Sequence, residues 1–334
     1  MADIDILHNY GGLANNSLTN LPGELDEIDI DNEEPLVLEQ TEYVDTTRIK
    51  EILNDENENV TILSLNCQSL FAKFDEIITF ISTLREIGIN FNVICLQETW
   101  IAEHMDTSLL NIDGYQLISQ PRTCSTHGGL ALYLDSRFNH QTLKFTNLTF
   151  SKWEYQFVQI DSDILHKSII IGNVYRLPKQ SNDDITDFLA GFSSILGNLE
   201  NSNKEIVICG DFNLDLLRVG ENAAIADFMG VLRSNSFVPK ITIPTRFSER
   251  RATLIDNIFC KLSNNYSQAR TGVFTNRISD HQPYFISLDY LTLKKHAPKI
   301  VHFVNYDKQS IQKFKNCLIA HDLMNELDQS EFAA

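Results

Sequence analysis

From Val60 onward, the apolar residues of the chain follow two kinds of pattern. Segments of six to nine residues, rich in β-branched and other apolar side chains, predict buried strands. Longer segments with apolar residues three or four positions apart predict amphipathic helices. The predicted strands are 60–67, 91–98, 114–120, 128–134, 155–160, 167–175, 205–213, 253–260 and 282–290, and the predicted helices are 71–87, 183–199 and 222–235.

The order of these elements indicates the fold class. Helices separate some of the strands, which favours parallel pairing, whereas other strands follow one another directly, which favours antiparallel pairing. We therefore predict an α/β fold in which two mixed β-sheets pack face to face with helices outside. One domain over residues 59–291 is long enough for this arrangement.

Residues 1–58 differ from this body and are dominated by Asp, Glu and Asn. Residues 1–59 carry 16 acidic and two basic residues, whereas the other 275 residues carry 29 acidic and 25 basic ones. Such a segment has too little apolar surface to offset the entropy lost on ordering, so we expect a disordered acidic leader with a short helix near residues 46–54. A solubilising role is the favoured interpretation, and contact with a basic partner is the alternative.

The rest of the composition indicates a soluble intracellular protein. Residues 292–334 are more polar and predict a linker with an amphipathic C-terminal helix over 308–326. The six cysteines are scattered without a C-x-x-C pair, which favours a reducing compartment without a zinc site or disulfides. We find no signal peptide and no apolar run of the ~18 residues that span a bilayer, so no membrane role and no clear targeting signal are predicted. We expect a monomer.

Polar side chains cluster where the predicted strands end. Loops at the ends of a rigid sheet commonly carry binding and catalytic groups, so six such clusters in one domain predict an active site. The clusters are Asn66, Gln97–Glu98, Asn173–Tyr175, Asp211–Asn213, Asp256 and Ser279–His281.

Several of these side chains suit the hydrolysis of a phosphodiester. Glu98 and Asp280 offer carboxylate oxygens for Mg²⁺, with Mn²⁺ as an alternative. Asn66 and Asn213 offer neutral contacts to the metal or to phosphate. The metal would polarise a phosphate oxygen, and Asp211 would orient or deprotonate the attacking water.

A histidine and a tyrosine complete the predicted chemistry. Asp256 would hold one ring nitrogen of His281 and favour the imidazolium, which would stabilise the transition state. Tyr175 would donate a hydrogen bond to the scissile phosphate. The alternatives are an ordinary surface histidine and a tyrosine that only caps the sheet.

In combination and in order, the motifs resemble those of the endonuclease/exonuclease/phosphatase superfamily, which includes abasic-site endonucleases and pancreatic-type deoxyribonuclease. The resemblance covers residues 60–288 and implies a deoxyribonuclease-like, four-layer α/β sandwich. It rests on Asn66 in LSLNCQSL, Glu98 in LQETW, Tyr175 in GNVYRLP, Asp211 and Asn213 in CGDFN, Asp256 in IDNIF, and Ser279, Asp280 and His281 in ISDHQP. By this resemblance the metal ligands are Glu98, Asp280 and Asn66.

Within the superfamily, the sequence is similar to the endonucleases of non-LTR retrotransposons, in segments such as QETW, GGLALYL, GDFNLDLL and PTRFSERRATLID. This similarity implies a DNA endonuclease whose nick leaves a 3′-hydroxyl, with access to the nucleus. It also implies phosphate or DNA contacts for Thr245, Thr253, Ser279 and Arg176, although Arg176 could instead support Tyr175. Residues 299–318 resemble the linker that leads to a reverse transcriptase in such elements; none follows, so we expect a fragment. The long acidic leader departs from the pattern.

Two other functions stay open from the residues alone. Another phosphoesterase of the superfamily would act on abasic DNA, RNA or a phospholipid with the same metal core. A catalytically inactive relic that binds nucleic acid or protein is disfavoured, because no catalytic position is substituted. Arg246, Arg250 and Arg251 predict either a basic loop over DNA or surface salt bridges.

Overall fold

The computed structural model describes residues 41–53, 59–122, 127–145, 152–161, 165, 167–200, 202–249, 251–262, 269–292, 312–313 and 315–316. The chain divides into two units, Met1–Lys294 and Lys295–Ala334. In the second unit, the described residues 312–313 and 315–316 are helical. Residues 1–40 and most of the predicted helix over 308–326 lie outside the described residues.

The first unit holds the folded body. Its helices are α1 (Thr46–Leu53), α2 (Leu70–Glu86), α3 (Asn182–Leu199) and α4 (Ala223–Ser234). Its strands are β1 (Glu42–Val44), β2 (Asn59–Asn66), β3 (Val93–Gln97), β4 (Tyr115–Gln120), β5 (Leu130–Asp135), β6 (His140–Leu143), β7 (Trp153–Ile160), β8 (Ile169–Arg176), β9 (Glu205–Asp211), β10 (Val238–Pro239), β11 (Arg246–Ser248), β12 (Arg251–Thr253), β13 (Asp256–Lys261), β14 (Ala269–Phe274) and β15 (Tyr284–Thr292).

The strands form two large mixed sheets and a small hairpin, as the sequence predicted. The first sheet has the order β1-β14-β15-β2-β3-β5-β4, the second has the order β10-β13-β9-β8-β7-β6, and β11 pairs with β12. In the first sheet β2 and β3 run parallel, and in the second β8 and β9 run parallel. The predicted α/β class with two mixed sheets is confirmed.

Both faces of the central strands are apolar because successive side chains point to opposite faces, and each face packs against another layer. In β2, Ile62 packs in the core that the two sheets share, whereas Leu63 packs toward α2. Helix α2 begins at Ser69, whose hydroxyl accepts the N–H of Ala72 at 3.3 Å. The aromatic residues of α3 and α4 cover the second sheet, which gives helix, sheet, sheet and helix layers. None of the described helices combines the length and hydropathy needed to cross a bilayer.

The disorder expected for the leader is wrong for residues 41–53. Strand β1 pairs in parallel with β14, and α1 follows it close to the predicted short helix. Val44 and Ile49 are fully buried, and the Tyr43 hydroxyl donates to the carbonyl oxygen of Pro244 at 2.9 Å. Acidic composition averaged over the whole leader concealed these apolar positions, and the edge of β14 supplies backbone partners that sequence does not reveal.

The sequence also missed β6, the β11–β12 hairpin, β10 and β14. Polar residues interrupt the apolar pattern in these strands, as Arg270 and Thr271 do in β14. Position 272 of β14 requires a glycine, because a Cβ there would lie 2.6 Å from the ring of Phe285. Tertiary contact, rather than local propensity, therefore defines these elements.

Gly210→Ala is expected to destabilise the body by about 3 kcal/mol, because overpacking a rigid sheet is costly. A Cβ at Gly210 would lie 2.1 Å from the carbonyl oxygen of Val174, on the hydrogen-bonded neighbour β8. Urea unfolding measures the effect. Gly197→Ala in α3 is the matched control, since no heavy atom lies within 4 Å of its Cβ position. It should be neutral or stabilise by about 0.5–1 kcal/mol, and equal effects of the two variants would contradict the prediction.

Candidate active site

The predicted site residues converge on one edge of the sandwich. The parallel pairs β2–β3 and β8–β9 end there, so Asn66 lies beside Gln97 and Tyr175 beside Asp211. The antiparallel strand β13 begins at the same edge, where Asp256 pairs with Asp211. The topology alone therefore gathers polar residues that are far apart in sequence.

Asn66 connects the two sheets at this edge. Its side chain is fully buried, and its Nδ2 donates to Glu98 Oε1 at 3.0 Å and to Asp211 Oδ2 at 2.8 Å. One amide group thus holds a carboxylate of the first sheet and a carboxylate of the second in fixed relation. The amide oxygen accepts the N–H of Gln68 at 3.3 Å.

The contact predicted between Asp256 and His281 is present. His281 Nδ1 lies 2.9 Å from both carboxylate oxygens of Asp256, and both side chains are buried. Because Asp256 engages Nδ1, the other ring nitrogen faces Asp280, whose Oδ1 lies 3.7 Å from His281 Nε2. The geometry fixes the ring and leaves Nε2 for chemistry at the site.

The carboxylates around His281 favour its charged form. Burial alone would lower the pKa of His281, but the charge and hydrogen bond of Asp256, with the charges of Asp211 and Asp280, raise this pKa to about 9. The imidazole is therefore protonated at neutral pH and can act as a cationic hydrogen-bond donor.

The environment of Asp211 favours its neutral form, whereas that of His281 favours the charged form. Burial and the charge of Asp256 raise the pKa of Asp211 to about 7, although His281, Asn66 and Asn213 partly offset this effect. Its Oδ1 accepts the backbone N–H of Asn213 at 2.9 Å. A carboxyl group with a pKa near neutrality can exchange a proton with water, as a general base must.

Tyr175 lies between the carboxylates with 1% of its surface exposed. Burial, followed by the charges of Glu98 and Asp211, raises the pKa of its phenol far above the usual value. The phenol therefore stays protonated and serves as a hydrogen-bond donor.

Arg176 contacts the loop that follows Asp211. Its buried guanidinium donates to the carbonyl oxygens of Phe212 at 2.5 Å and Asn213 at 2.8 Å, and to Gln180 Oε1 at 2.6 Å. Asn213 Nδ2 donates in return to the carbonyl oxygen of Arg176 at 2.7 Å. These contacts hold the loop after Asp211, while the phosphate contact and the support of Tyr175 that the sequence suggested for Arg176 stay predictions.

Thr245 and Ser279, for which the sequence predicted phosphate contacts, both form hydrogen bonds within the candidate site. The buried Thr245 hydroxyl donates to Asp256 Oδ2 at 2.7 Å and so helps to hold the partner of His281. Ser279 Oγ lies 2.7 Å from the carbonyl oxygen of Asn66 and accepts the N–H of His281 at 3.1 Å. Both hydroxyls hold residues of the candidate site in place, and their phosphate contacts stay predictions. Thr253 is half-buried in β12, its carbonyl oxygen accepts the N–H of Thr245, and its phosphate contact stays a prediction.

The metal ligands predicted from sequence fit a hard divalent cation. Glu98 and Asp280 present carboxylate oxygens, whereas the amide oxygen of Asn66 already accepts the N–H of Gln68. Arg246 Nε donates to Asp280 Oδ2 at 2.8 Å, whereas the buried Oδ1 of Asp280 accepts no hydrogen bond from any residue that the structure describes. Such an unsatisfied oxygen, at an edge with four carboxylates, indicates a place for a cation.

A second group of potential ligand atoms has a different interpretation. One atom each of Asp211, Asp256 and His281 lie within 4.8 Å of one another. However, His281 Nδ1 is already bound to Asp256, which also accepts the hydroxyl of Thr245. We interpret Asp256 and His281 as a hydrogen-bonded pair beside Asp211, and Glu98 with Asp280 as the metal side of the site.

Sequence reasoning assigned no role to a buried polar network beneath the site. Gln97 Nε2 donates to Ser64 Oγ at 3.1 Å and to Asn173 Oδ1 at 2.7 Å, which joins the two sheets. Ser64 in turn donates to the Tyr284 hydroxyl at 2.9 Å, and Tyr284 donates to the carbonyl oxygen of Gly210 at 3.1 Å. Polar residues inside otherwise apolar strands were the available signal, because such groups are buried only when they are hydrogen-bonded.

The chain matches a known protein family. The model of the Endonuclease/Exonuclease/phosphatase family matches residues 63–281, about two thirds of the chain. No curated protein matched the sequence.

Solved structures show the same fold at low sequence identity. The endonuclease domain of TRAS1, a telomere-specific non-LTR retrotransposon, is 15% identical with a TM-score of 0.51, over 69% of this chain and 98% of that domain. AP endonuclease LMAP from Leishmania major is 15% identical with a TM-score of 0.58, over 78% of this chain and 96% of that one. The 3′ phosphatase NExo from Neisseria, bound to a product DNA hairpin, is 14% identical with a TM-score of 0.52, over 69% of this chain and 99% of that one. The family match and the shared fold lead to one conclusion: the chain belongs to the endonuclease/exonuclease/phosphatase family.

Proposed function

We propose that the protein is a Mg²⁺-dependent DNA endonuclease that nicks one strand and leaves a 3′-hydroxyl. The observation that carries the proposal is the pairing of a buried Asp256–His281 dyad with Asp211, Asn66 and Glu98 at one edge. This set combines a group that can take a proton, a cationic donor and hard oxygen ligands. Members of the family are hydrolytic nucleases and phosphatases, and they typically depend on divalent metals.

Asp211 is the proposed base. Asn66 and Asn213 orient its carboxylate, and its raised pKa suits proton uptake near neutral pH. Asp211 takes a proton from water as the water oxygen bonds to phosphorus. The bond between phosphorus and the 3′-oxygen breaks, and that oxygen takes a proton from a solvent water molecule to become the 3′-hydroxyl. The other side of the nick carries a 5′-phosphate.

His281 and Tyr175 stabilise the charge that develops on the phosphate. The protonated imidazole offers its Nε2–H, and the protonated phenol offers its O–H, in a site where water is largely excluded. Preorganised donors of this kind contribute strongly to transition-state stabilisation. Mg²⁺, held by Glu98, Asp280 and Asn66, would supply a Lewis acid to a phosphate oxygen.

Motifs in the style of non-LTR retrotransposons support DNA as the substrate, together with the fold shared with the TRAS1 endonuclease domain. Arg246 and Arg251 of the β11–β12 hairpin form ion pairs with Asp280 and Asp215, in line with the salt-bridge alternative, so the support for DNA comes from the motifs and the fold. Access to the nucleus, a monomeric state and contact of the acidic leader with a basic partner are further parts of the proposal that come from the sequence.

Incubation of the full chain with supercoiled plasmid tests this function. Conversion to open circles is expected with Mg²⁺ and not with EDTA, and the nicked ends should prime a DNA polymerase because they carry 3′-hydroxyls. Cleavage of only an oligonucleotide with an abasic site would assign the protein to abasic-site chemistry. No cleavage of any nucleic acid by the folded protein would contradict the proposal.

A further inference from the structure

Neighbouring side chains donate hydrogen bonds to both carboxylate oxygens of Glu98, and the Tyr175 phenol is a further hydrogen-bond partner of this carboxylate. Asn66 Nδ2 donates to Oε1 at 3.0 Å, and the indole Nε1–H of Trp100 donates to Oε2 at 3.2 Å. A carboxylate has about four acceptor positions, so these donors orient the group and still leave a lone pair for a cation. Trp100 therefore fixes the direction in which Glu98 faces the site.

The backbone around Glu98 is unusual and needs support. Glu98 and Trp100 have φ angles of +50° and +55°, in the left-handed region that disfavours residues with a Cβ. The N–H of Trp100 donates to the carbonyl oxygen of Gly128 at 2.8 Å, and the N–H of Thr99 donates to that of Gly129 at 3.1 Å. The adjacent glycine turn therefore holds this loop.

The glycine turn contacts a buried glutamate of the second sheet, Glu154 in β7. The N–H of Gly129 donates to Glu154 Oε2 at 2.5 Å, and Glu154 is 4% exposed. Gly128 and Gly129 have φ angles of +97° and +85°, and a Cβ at Gly128 would lie 3.0 Å from both carboxylate oxygens of Glu154. Only glycine fits these positions, so Glu154 determines where the turn lies.

We infer that Trp100 is a positioning residue that orients Glu98 for a divalent cation, and that Glu154 fixes the Trp100 backbone through Gly128 and Gly129. The inference rests on the proposed function in taking Glu98 as the metal ligand. Groups that orient a ligand commonly contribute about 10- to 100-fold to metal affinity. Trp100 acts on the cation through Glu98 alone.

The chain has two tryptophans, so fluorescence can report on Trp100 without any assay of activity. Trp153 is 2% exposed in the core, where its ring packs on Phe188. In Trp153→Phe, all tryptophan emission comes from Trp100. Titration with MgCl₂ in the absence of nucleic acid is expected to give a saturable change in emission, which Glu98→Ala abolishes. Emission that stays constant while calorimetry detects Mg²⁺ binding would overturn the inference.

Trp100→Phe keeps an aromatic ring and removes the N–H donor. The Mg²⁺ dissociation constant from calorimetry and the half-saturating Mg²⁺ for nicking are both expected to rise about 10-fold. The nicking rate at saturating Mg²⁺ should stay within about threefold of wild type, since the reacting groups are unchanged. A residue that only stabilised the fold would not produce this split, and unchanged Mg²⁺ affinity would overturn the inference. Normal metal titrations without nicking by wild type would instead refute the proposed function alone.

Two variants of Glu154 test the other half of the inference. Glu154→Gln keeps an oxygen acceptor for Gly129 and should bind Mg²⁺ within about threefold of wild type, because a retained acceptor keeps the buried N–H satisfied. Glu154→Ala removes the acceptor and should weaken Mg²⁺ binding about 10-fold, like Trp100→Phe. Wild-type affinity in a folded Glu154→Ala protein, or a large loss in Glu154→Gln, would contradict the role of the turn.

Discussion

His281→Asn is expected to lower Mg²⁺-dependent nicking by about 1,000-fold while the protein stays folded. The asparagine Nδ2 occupies roughly the position of the imidazole Nδ1, so it can still donate to the buried carboxylate of Asp256. The variant lacks the Nε2–H and the positive charge that the neighbouring acids favour in the folded protein. Loss of activity would therefore report on chemistry at Nε2 and not on an unpaired buried acid.

The rate of plasmid nicking at saturating Mg²⁺ measures this effect, and circular dichroism with urea unfolding verifies the fold. His104→Ala, which alters an exposed histidine outside the site, is the matched control and should retain wild-type activity. A His281→Asn protein within about tenfold of wild-type activity would show that the dyad is structural, since positioned acid–base groups usually contribute at least 100-fold.

Glu98→Ala should nearly abolish nicking at low millimolar Mg²⁺, with a loss of about 1,000-fold that higher Mg²⁺ restores only in part. Asn66 donates to one carboxylate oxygen of Glu98 and Trp100 donates to the other. Removal of the Glu98 carboxylate takes away a hard oxygen ligand and releases both donors, so the cation loses affinity and the phosphate loses its Lewis acid. Nicking rates measured across a Mg²⁺ series separate these two losses.

Glu103→Ala is the control for charge in the same loop, because Glu103 is exposed. It should leave both the half-saturating Mg²⁺ and the maximal rate unchanged. If Glu98→Ala and Glu103→Ala behaved alike, the metal would lie elsewhere, and the group formed by Asp211, Asp256 and His281 would become the first alternative.

The N-terminal segment also affects how the protein should be prepared. Tyr43 contacts Pro244, and its ring lies 6.1 Å from that of Phe247, whose N–H donates to the carbonyl oxygen of Asp280 at 3.1 Å. Strand β1 therefore supports the hairpin beside the proposed metal ligand. A protein that began at residue 59, the domain boundary predicted from sequence, would lack this support.

The sequence by itself determined the fold class, the main strands and the polar residues at the strand ends. Apolar periodicity is a local property, and charged or amide groups at the end of a buried strand stand out against it. Asn66, Asp211 and His281 were found for this reason. Their order along the chain was enough to indicate the family before any distance was known.

Only the tertiary structure decided the finer roles. A threonine or serine hydroxyl can face a phosphate or a carboxylate, and the fold directs Thr245 to Asp256 and Ser279 to Asn66. Strand β1 forms because β14 offers an edge from more than 200 residues away. Glu154 and Gly129 meet across two sheets, 25 positions apart. Sequence patterns record what a residue is and which local element it favours, whereas a hydrogen-bond partner is chosen by the packing of elements that are distant in sequence.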